Sequence, residues 1–114
     1  MGTQPYFLLI WIIDSKTNIL QEVTMFHYIA WPDFGVPKDP FLLFEMIHML
    51  SKLDVDCTLV HCSAGVGRTG VFIALAKLVE KLHTDICQIE IFQTVLDLRK
   101  NRKFMVSRTT YLLL

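Results

Sequence analysis

A chain of 114 residues, with 11 Lys+Arg against 11 Asp+Glu, is large enough for one domain at most and carries no basic field to draw it to nucleic acid. Its hydrophobic fraction of 53% and mean hydropathy of +0.43 are high for a small soluble domain, yet the longest apolar run, Phe7 to Ile13, ends after seven residues at Asp14. A membrane-spanning helix needs about 20 residues and a signal peptide needs a basic flank and a small-residue cleavage site, so a rich core is expected instead, with no membrane partner.

Phe7 to Ile13 reads as a buried strand, Asp14 to Asn18 as a turn and Val23 to Ala30 as a second strand, which predicts a hairpin. WPDFGVP follows over residues 31–37, with prolines at both sides of Gly35, and is a loop. Asp39 is placed to cap a helix with Pro40 at its first position, and Leu42, Leu43, Met46, Met49, Leu50 and Leu53 share one helical face. Thr58 to His61 is predicted as a short strand. A second helix runs from Arg68 to about Leu82, with Val71, Leu75, Leu78 and Leu82 inward. A third covers Gln88 to Asn101 through Ile91, Phe92, Val95 and Leu98. Strands and helices in this order predict an α/β domain.

Three cysteines without a CxxC pair argue against a disulfide framework or structural zinc. The histidines at 27, 48, 61 and 83 lack HxxxH or HxH spacing, so no metal site is expected. Cys57 and Cys87 sit among apolar neighbours and read as inert buried thiols. A reducing compartment is implied, and the cytoplasm is the expected location.

Cys62 is different. It stands in VHCSAGVGRTG, at the end of the predicted strand and six residues before Arg68, which opens a helix. That junction is the usual anion position in an open α/β sheet. Ser63, Ala64, Gly65, Val66 and Gly67 can turn successive backbone N–H groups toward one point, and the helix start adds its positive end. Gly65 and Gly67 keep bulk out of that bowl. Arg68 can fork two hydrogen bonds onto a tetrahedral oxyanion. The same field favours a thiolate: a free cysteine has a pKa of about 8.5, and such settings lower it to roughly 3.5–7.5. Cys62 is therefore expected to be an ionised nucleophile beneath a bound phosphate. His61 either fixes the loop by hydrogen bonding or is an ordinary strand-end histidine. The Thr69 hydroxyl either bonds the thiolate, the favoured reading, or caps the loop backbone. A leaving oxygen needs a proton donor, and WPDFGVP offers Asp33 on a loop hinged at Trp31.

These residues resemble the protein tyrosine phosphatases. VHCSAGVGRTG looks like the family's phosphate-loop signature and WPDFGVP like its mobile acid loop, in the family's order. A bare C-x5-R is weaker, because rhodaneses and arsenate reductases also use a Cys-headed anion loop. Threonine after the arginine looks more like the tyrosine-specific branch than the dual-specificity branch. The resemblance implies that Cys62 is the nucleophile, that Arg68 binds phosphate and stabilises the transition state, and that Asp33 is general acid and then base. It implies hydrolysis of phosphotyrosine in proteins through a phosphocysteine, with no metal or cofactor.

The resemblance runs over nearly all of residues 1–114 but matches only the C-terminal half of the family's catalytic domain. The expectation is a partial phosphatase domain: a mixed sheet packed by helices, with the phosphate loop between a strand and a helix. Its uncovered core surface would favour self-association. After LRKNRKFMV the family carries a loop whose glutamine positions the hydrolytic water, whereas this chain reads SRTTYLLL. The expected activity is a tyrosine phosphatase with impaired turnover. Its alternatives are a phosphotyrosine-binding or interaction module from a truncated phosphatase, or a truncated product with no stable fold.

Overall fold

The computed structural model of the chain describes residues 6–28, 31, 35–37, 39–53, 57–84 and 89–107. The chain divides into two compact units, Met1–His48 and Met49–Leu114.

The first unit opens with a hairpin. Strand β1 (Tyr6–Ile13) pairs antiparallel with β2 (Leu20–His27), in a register running from Tyr6 opposite His27 to Ile13 opposite Leu20. Asp14 makes the turn between them: its carboxylate accepts from the Lys16 amide at 2.8 Å, and its carbonyl accepts from the Asn18 amide at 2.7 Å. Asn18 takes φ +57°, a left-handed conformation that asparagine tolerates better than most residues. The amide of Lys16 also holds the Asp14 carboxyl below its ordinary pKa. Because the turn closes at Asn18, β2 begins at Leu20 rather than at Val23. The predicted end of that strand, at residues 29 and 30, lies outside the described residues.

Helix α1 (Phe41–Ser51) is capped by Asp39, whose Oδ1 accepts the Phe41 amide at 3.1 Å. Pro40 lies just before the helix, and its carbonyl accepts the Leu43 and Phe44 amides. The buried face is Leu42, Leu43, Met46 and Ile47. This differs from the expected stripe: Met49 and Leu50 are only half-buried, and Leu53 is exposed beyond the helix end.

The second unit holds α2 (Arg68–Thr84) and α3 (Ile91–Asn101), which pack on each other. Residues 58–61 are not a strand. Pairing makes a strand, and among the described residues the two-stranded sheet holds only β1 and β2. Leu59 is 86% exposed, unlike a residue of a covered strand. The helix faces also shift. α2 buries Thr69, Gly70, Val71 and Ala74, while Leu75 and Leu78 are half-buried and Leu82 is exposed. In α3 the buried residues are Thr94, Val95 and Leu98, while Ile91 and Phe92 face outward. A 3.6-residue pattern finds the helices but not which apolar face meets a neighbour.

After α3 a short strap, residues 102–107, runs back along the start of α2. The Val106 amide donates to the Val66 carbonyl at 2.8 Å. Arg99 fastens the strap with Nε on the Met105 carbonyl at 2.9 Å and Nη2 on the Val106 carbonyl at 3.1 Å. A methyl group at Gly70 would collide with the Val106 amide nitrogen and crowd the Met105 carbonyl carbon at 3.3 Å. So Gly70 is glycine because backbone meets backbone there. Gly70→Ala is expected to destabilise the unit by about 1–3 kcal/mol through overpacking, although alanine is the better helix former by ~1 kcal/mol. Urea unfolding checks this. An unchanged or raised midpoint would mean that the strap is not packed on α2 as described.

Candidate active site

The sequence from Cys62 to Gly67 folds as a loop leading directly into α2, whose first turn is anchored by the Val71 amide on the Gly67 carbonyl at 3.0 Å. Arg68 is the first residue of the helix and is half-buried. Thr69, the next residue, is buried at 5% exposure, and its hydroxyl donates to Cys62 Sγ at 3.0 Å. From the loop itself the Gly65 amide donates to the same sulfur at 3.3 Å. Gly65 reaches this position with φ +76°, which L side chains rarely adopt.

Partial burial pushes the Cys62 thiol up. The Thr69 hydroxyl and the amides of Thr69, Gly65 and Ala64 outweigh it and bring the pKa down to about 7. Every one of those donors favours the thiolate, because a hydrogen bond to the charged form stabilises it. Near neutral pH roughly half of Cys62 is ionised, where an ordinary cysteine is a few per cent thiolate. Such a set of donors can favour a thiolate by hydrogen bonding alone. His61 is exposed, as are Ser63 and Ala64, while Val66 and Gly67 are half-buried.

The WPDFGVP loop belongs to the first unit. Trp31 is 9% exposed, and its indole Nε1 donates to the Gly35 carbonyl at 3.1 Å, bridging the two ends of the loop. Tyr28 packs edge-on against the indole, with ring centroids 6.3 Å apart. Gly35 has φ +97°, the left-handed conformation that lets its carbonyl turn toward the indole. Asp33, the expected acid, lies outside the described residues.

Two features differ from the sequence reading. Cys57 is exposed, because residues 58–61 form no covered strand that would bury it. The second is Arg102, whose Nη2 donates to the Ala64 carbonyl of the loop at 3.1 Å from 38 residues away in sequence. The expected burial of Cys87 lies outside the described residues. Together with Arg99 and the strap, Arg102 belongs to the loop's surroundings. The only sequence signal was the basic cluster in LRKNRK, which reads equally well as a solvated helix end.

The family model described as protein-tyrosine phosphatase matches residues 7–114. Tyrosine-protein phosphatase 69D of Drosophila melanogaster is 39% identical over 103 residues, which cover 83% of this chain and 7% of that protein. Receptor-type tyrosine-protein phosphatase eta of Gallus gallus is 42% identical over 98 residues, 82% of this chain and 7% of that protein. Receptor-type tyrosine-protein phosphatase C of Homo sapiens is 37% identical over 99 residues, 83% of this chain and 8% of that protein. The chain thus spans less than a tenth of the length of these relatives. No helix among the described residues is long and apolar enough to cross a membrane.

Proposed function

The chain belongs to the protein-tyrosine phosphatase family, and on that premise we propose that it hydrolyses phosphotyrosine in proteins through a phosphocysteine on Cys62. One observation carries the proposal. Cys62 Sγ receives hydrogen bonds from the Thr69 hydroxyl and the Gly65 amide beside the N-terminus of α2, and its pKa lies at about 7.

The chemistry follows in two displacements. Cys62 thiolate attacks phosphorus in line with the tyrosyl oxygen; the S–P bond forms as the P–O bond breaks. Arg68 holds two non-bridging oxygens through its planar fork, and the backbone donors of Ser63 to Gly67 hold the equatorial oxygens as charge develops. Asp33 gives its proton to the departing phenolate and leaves as carboxylate. A water molecule then attacks the phosphocysteine, gives its proton to Asp33, and displaces the sulfur as thiolate. The Thr69 hydroxyl and Gly65 amide lower the energy of that thiolate, so the same contacts that make the nucleophile also make it a good leaving group. The Trp31–Gly35 bond is the fixed end on which the acid loop would close. The partner is a phosphotyrosine-bearing protein. Free thiols at Cys57 and Cys62 support a reducing, cytoplasmic setting.

The second displacement is the weaker step. None of the residues from Ser107 to Leu114 is a glutamine to orient the water. Loss of one positioned polar group at a developing charge commonly costs on the order of 10²–10³ in rate. Rapid mixing of the 114-residue chain with a phosphotyrosine peptide is expected to give a burst of dephosphorylated peptide close to one per active site, followed by slow turnover. A phosphoserine peptide should give neither phase. Linear release without a burst would contradict the slow second step, and equal rates on both peptides would contradict tyrosine selectivity.

A further inference from the structure

Outside the residues assigned above, the Arg102 side chain touches the Cys62 loop directly. Arg102 follows the last residue of α3, and its backbone amide is tied to the Leu98 carbonyl at 3.1 Å. Its guanidinium reaches across to the loop, where Nη2 donates to the Ala64 carbonyl at 3.1 Å. The same group lies over Gly65: a Cβ there would stand 2.6 Å from Nη1 and 3.2 Å from Cζ. The Ala64 carbonyl and the Gly65 N–H belong to one planar peptide and point in opposite directions. A carbonyl turned toward Arg102 therefore leaves the N–H turned toward Cys62 Sγ, where it donates at 3.3 Å.

Something must select that orientation. Glycine at 65 opens both signs of φ, so the Ala64–Gly65 peptide can rotate without the steric penalty that a side chain would impose. In the rotated form the carbonyl dipole would face the thiolate and repel it. We propose that Arg102 is a positioning residue: by holding the Ala64 carbonyl, its guanidinium keeps the Gly65 N–H aimed at the Cys62 sulfur. The bond is charge-assisted, which also polarises the peptide so that its N–H is a stronger donor. Arg99 keeps the adjoining strap in place through the Met105 and Val106 carbonyls, so the guanidinium acts from an anchored chain end. Lysine cannot replace it fully, since a single ammonium on a flexible stem does not cover Gly65 and bond Ala64 with one rigid plane.

This inference rests on Cys62 being the nucleophile, but its test does not need turnover. Cys62 is alkylated with iodoacetamide, a neutral reagent, across a pH series, and its peptide is followed by mass spectrometry. Exposed Cys57 serves as an internal reference. The other groups acting on the sulfur (the Thr69 hydroxyl and the amides of Thr69 and Ala64) and the flanking His61 and Arg68 are left unsubstituted in every variant, so that the Gly65 amide is the donor expected to turn away. Native protein is expected to show a midpoint of about 7. Arg102→Leu should move the midpoint up by about half to one unit, leave the Cys57 profile and helical circular dichroism unchanged, and recover when methylguanidinium is added. Arg102→Lys should fall between the two. A midpoint in Arg102→Leu that matches the native one overturns the proposal. So does a rise that accompanies loss of helical signal and resists methylguanidinium, because Arg102 would then only support the fold. A shifted midpoint in a chain that hydrolyses no phosphopeptide would uphold the positioning role and count against the phosphatase reading alone.

Discussion

Cys62→Ser is expected to reduce hydrolysis of phosphotyrosine peptides by about 10⁴-fold or more, the scale seen when an enzyme loses its nucleophile. Serine keeps a small hydroxyl in the same place, but its proton is not given up near neutral pH. The donors that drew the Cys62 thiol to about 7 have no anion to stabilise in the variant. Peptide binding should survive. The cradle proposed for Ser63 to Gly67 would use backbone amides, which the substitution leaves in place, and removal of a negative sulfur takes away a charge that repels the phosphate dianion. Calorimetry with a phosphotyrosine peptide is expected to show affinity equal to or tighter than native. A variant that still turns over within tenfold of native would remove Cys62 from the chemistry.

Arg68→Ala is expected to fail differently, losing binding and turnover together. Arg68 stands at the first position of α2, where a planar fork can meet two phosphate oxygens in the ground state and the transition state alike. Alanine is a good residue at a helix start, so the helix itself should persist. A loss of about 10²–10³ in kcat/KM is expected, with a matching rise in peptide Kd for the part felt in the ground state. Arg68→Lys should recover little, because a point charge cannot supply two parallel hydrogen bonds. An Arg68→Ala protein that binds the phosphopeptide as well as native would show that the backbone alone holds the phosphate.

How far these residues were legible in advance depended on whether the determining interaction was local. The hairpin was visible because Asp14 and Asn18 make the turn by bonds to their own neighbours. The Asp39 cap was visible for the same reason. The start of α2 at Arg68 follows from glycine chemistry just before it. Residues 58–61 read as a strand from their β-branched and apolar composition, but a strand needs a partner, and the sheet among the described residues ends at β2. Once that pairing is absent, Cys57 is no longer covered, and an apolar neighbourhood in sequence becomes an exposed thiol in space.

The glycines of the Cys62 loop teach a related lesson. From the sequence, Gly65 and Gly67 read as space left for a phosphate. Gly65 has a positive φ and a guanidinium above it, and Gly70 is small because the Val106 backbone lies against α2. Both demands come from residues near the end of α3, more than thirty positions away, and no local pattern announces them. Thr69 falls between these cases: its place in the first helical turn was readable, and its 3.0 Å bond to Cys62 required the loop to be folded.

The central claim is that phosphate passes through the sulfur of Cys62. Rapid acid quench of the native chain during reaction with a phosphotyrosine peptide, followed by peptide mass spectrometry, tests it most directly. The account predicts phosphate on the Cys62 peptide within the burst, decaying at the rate of steady turnover, and no such adduct in Cys62→Ser. Release of tyrosine with phosphate on another residue, or with no adduct on Cys62 at any time, would contradict it.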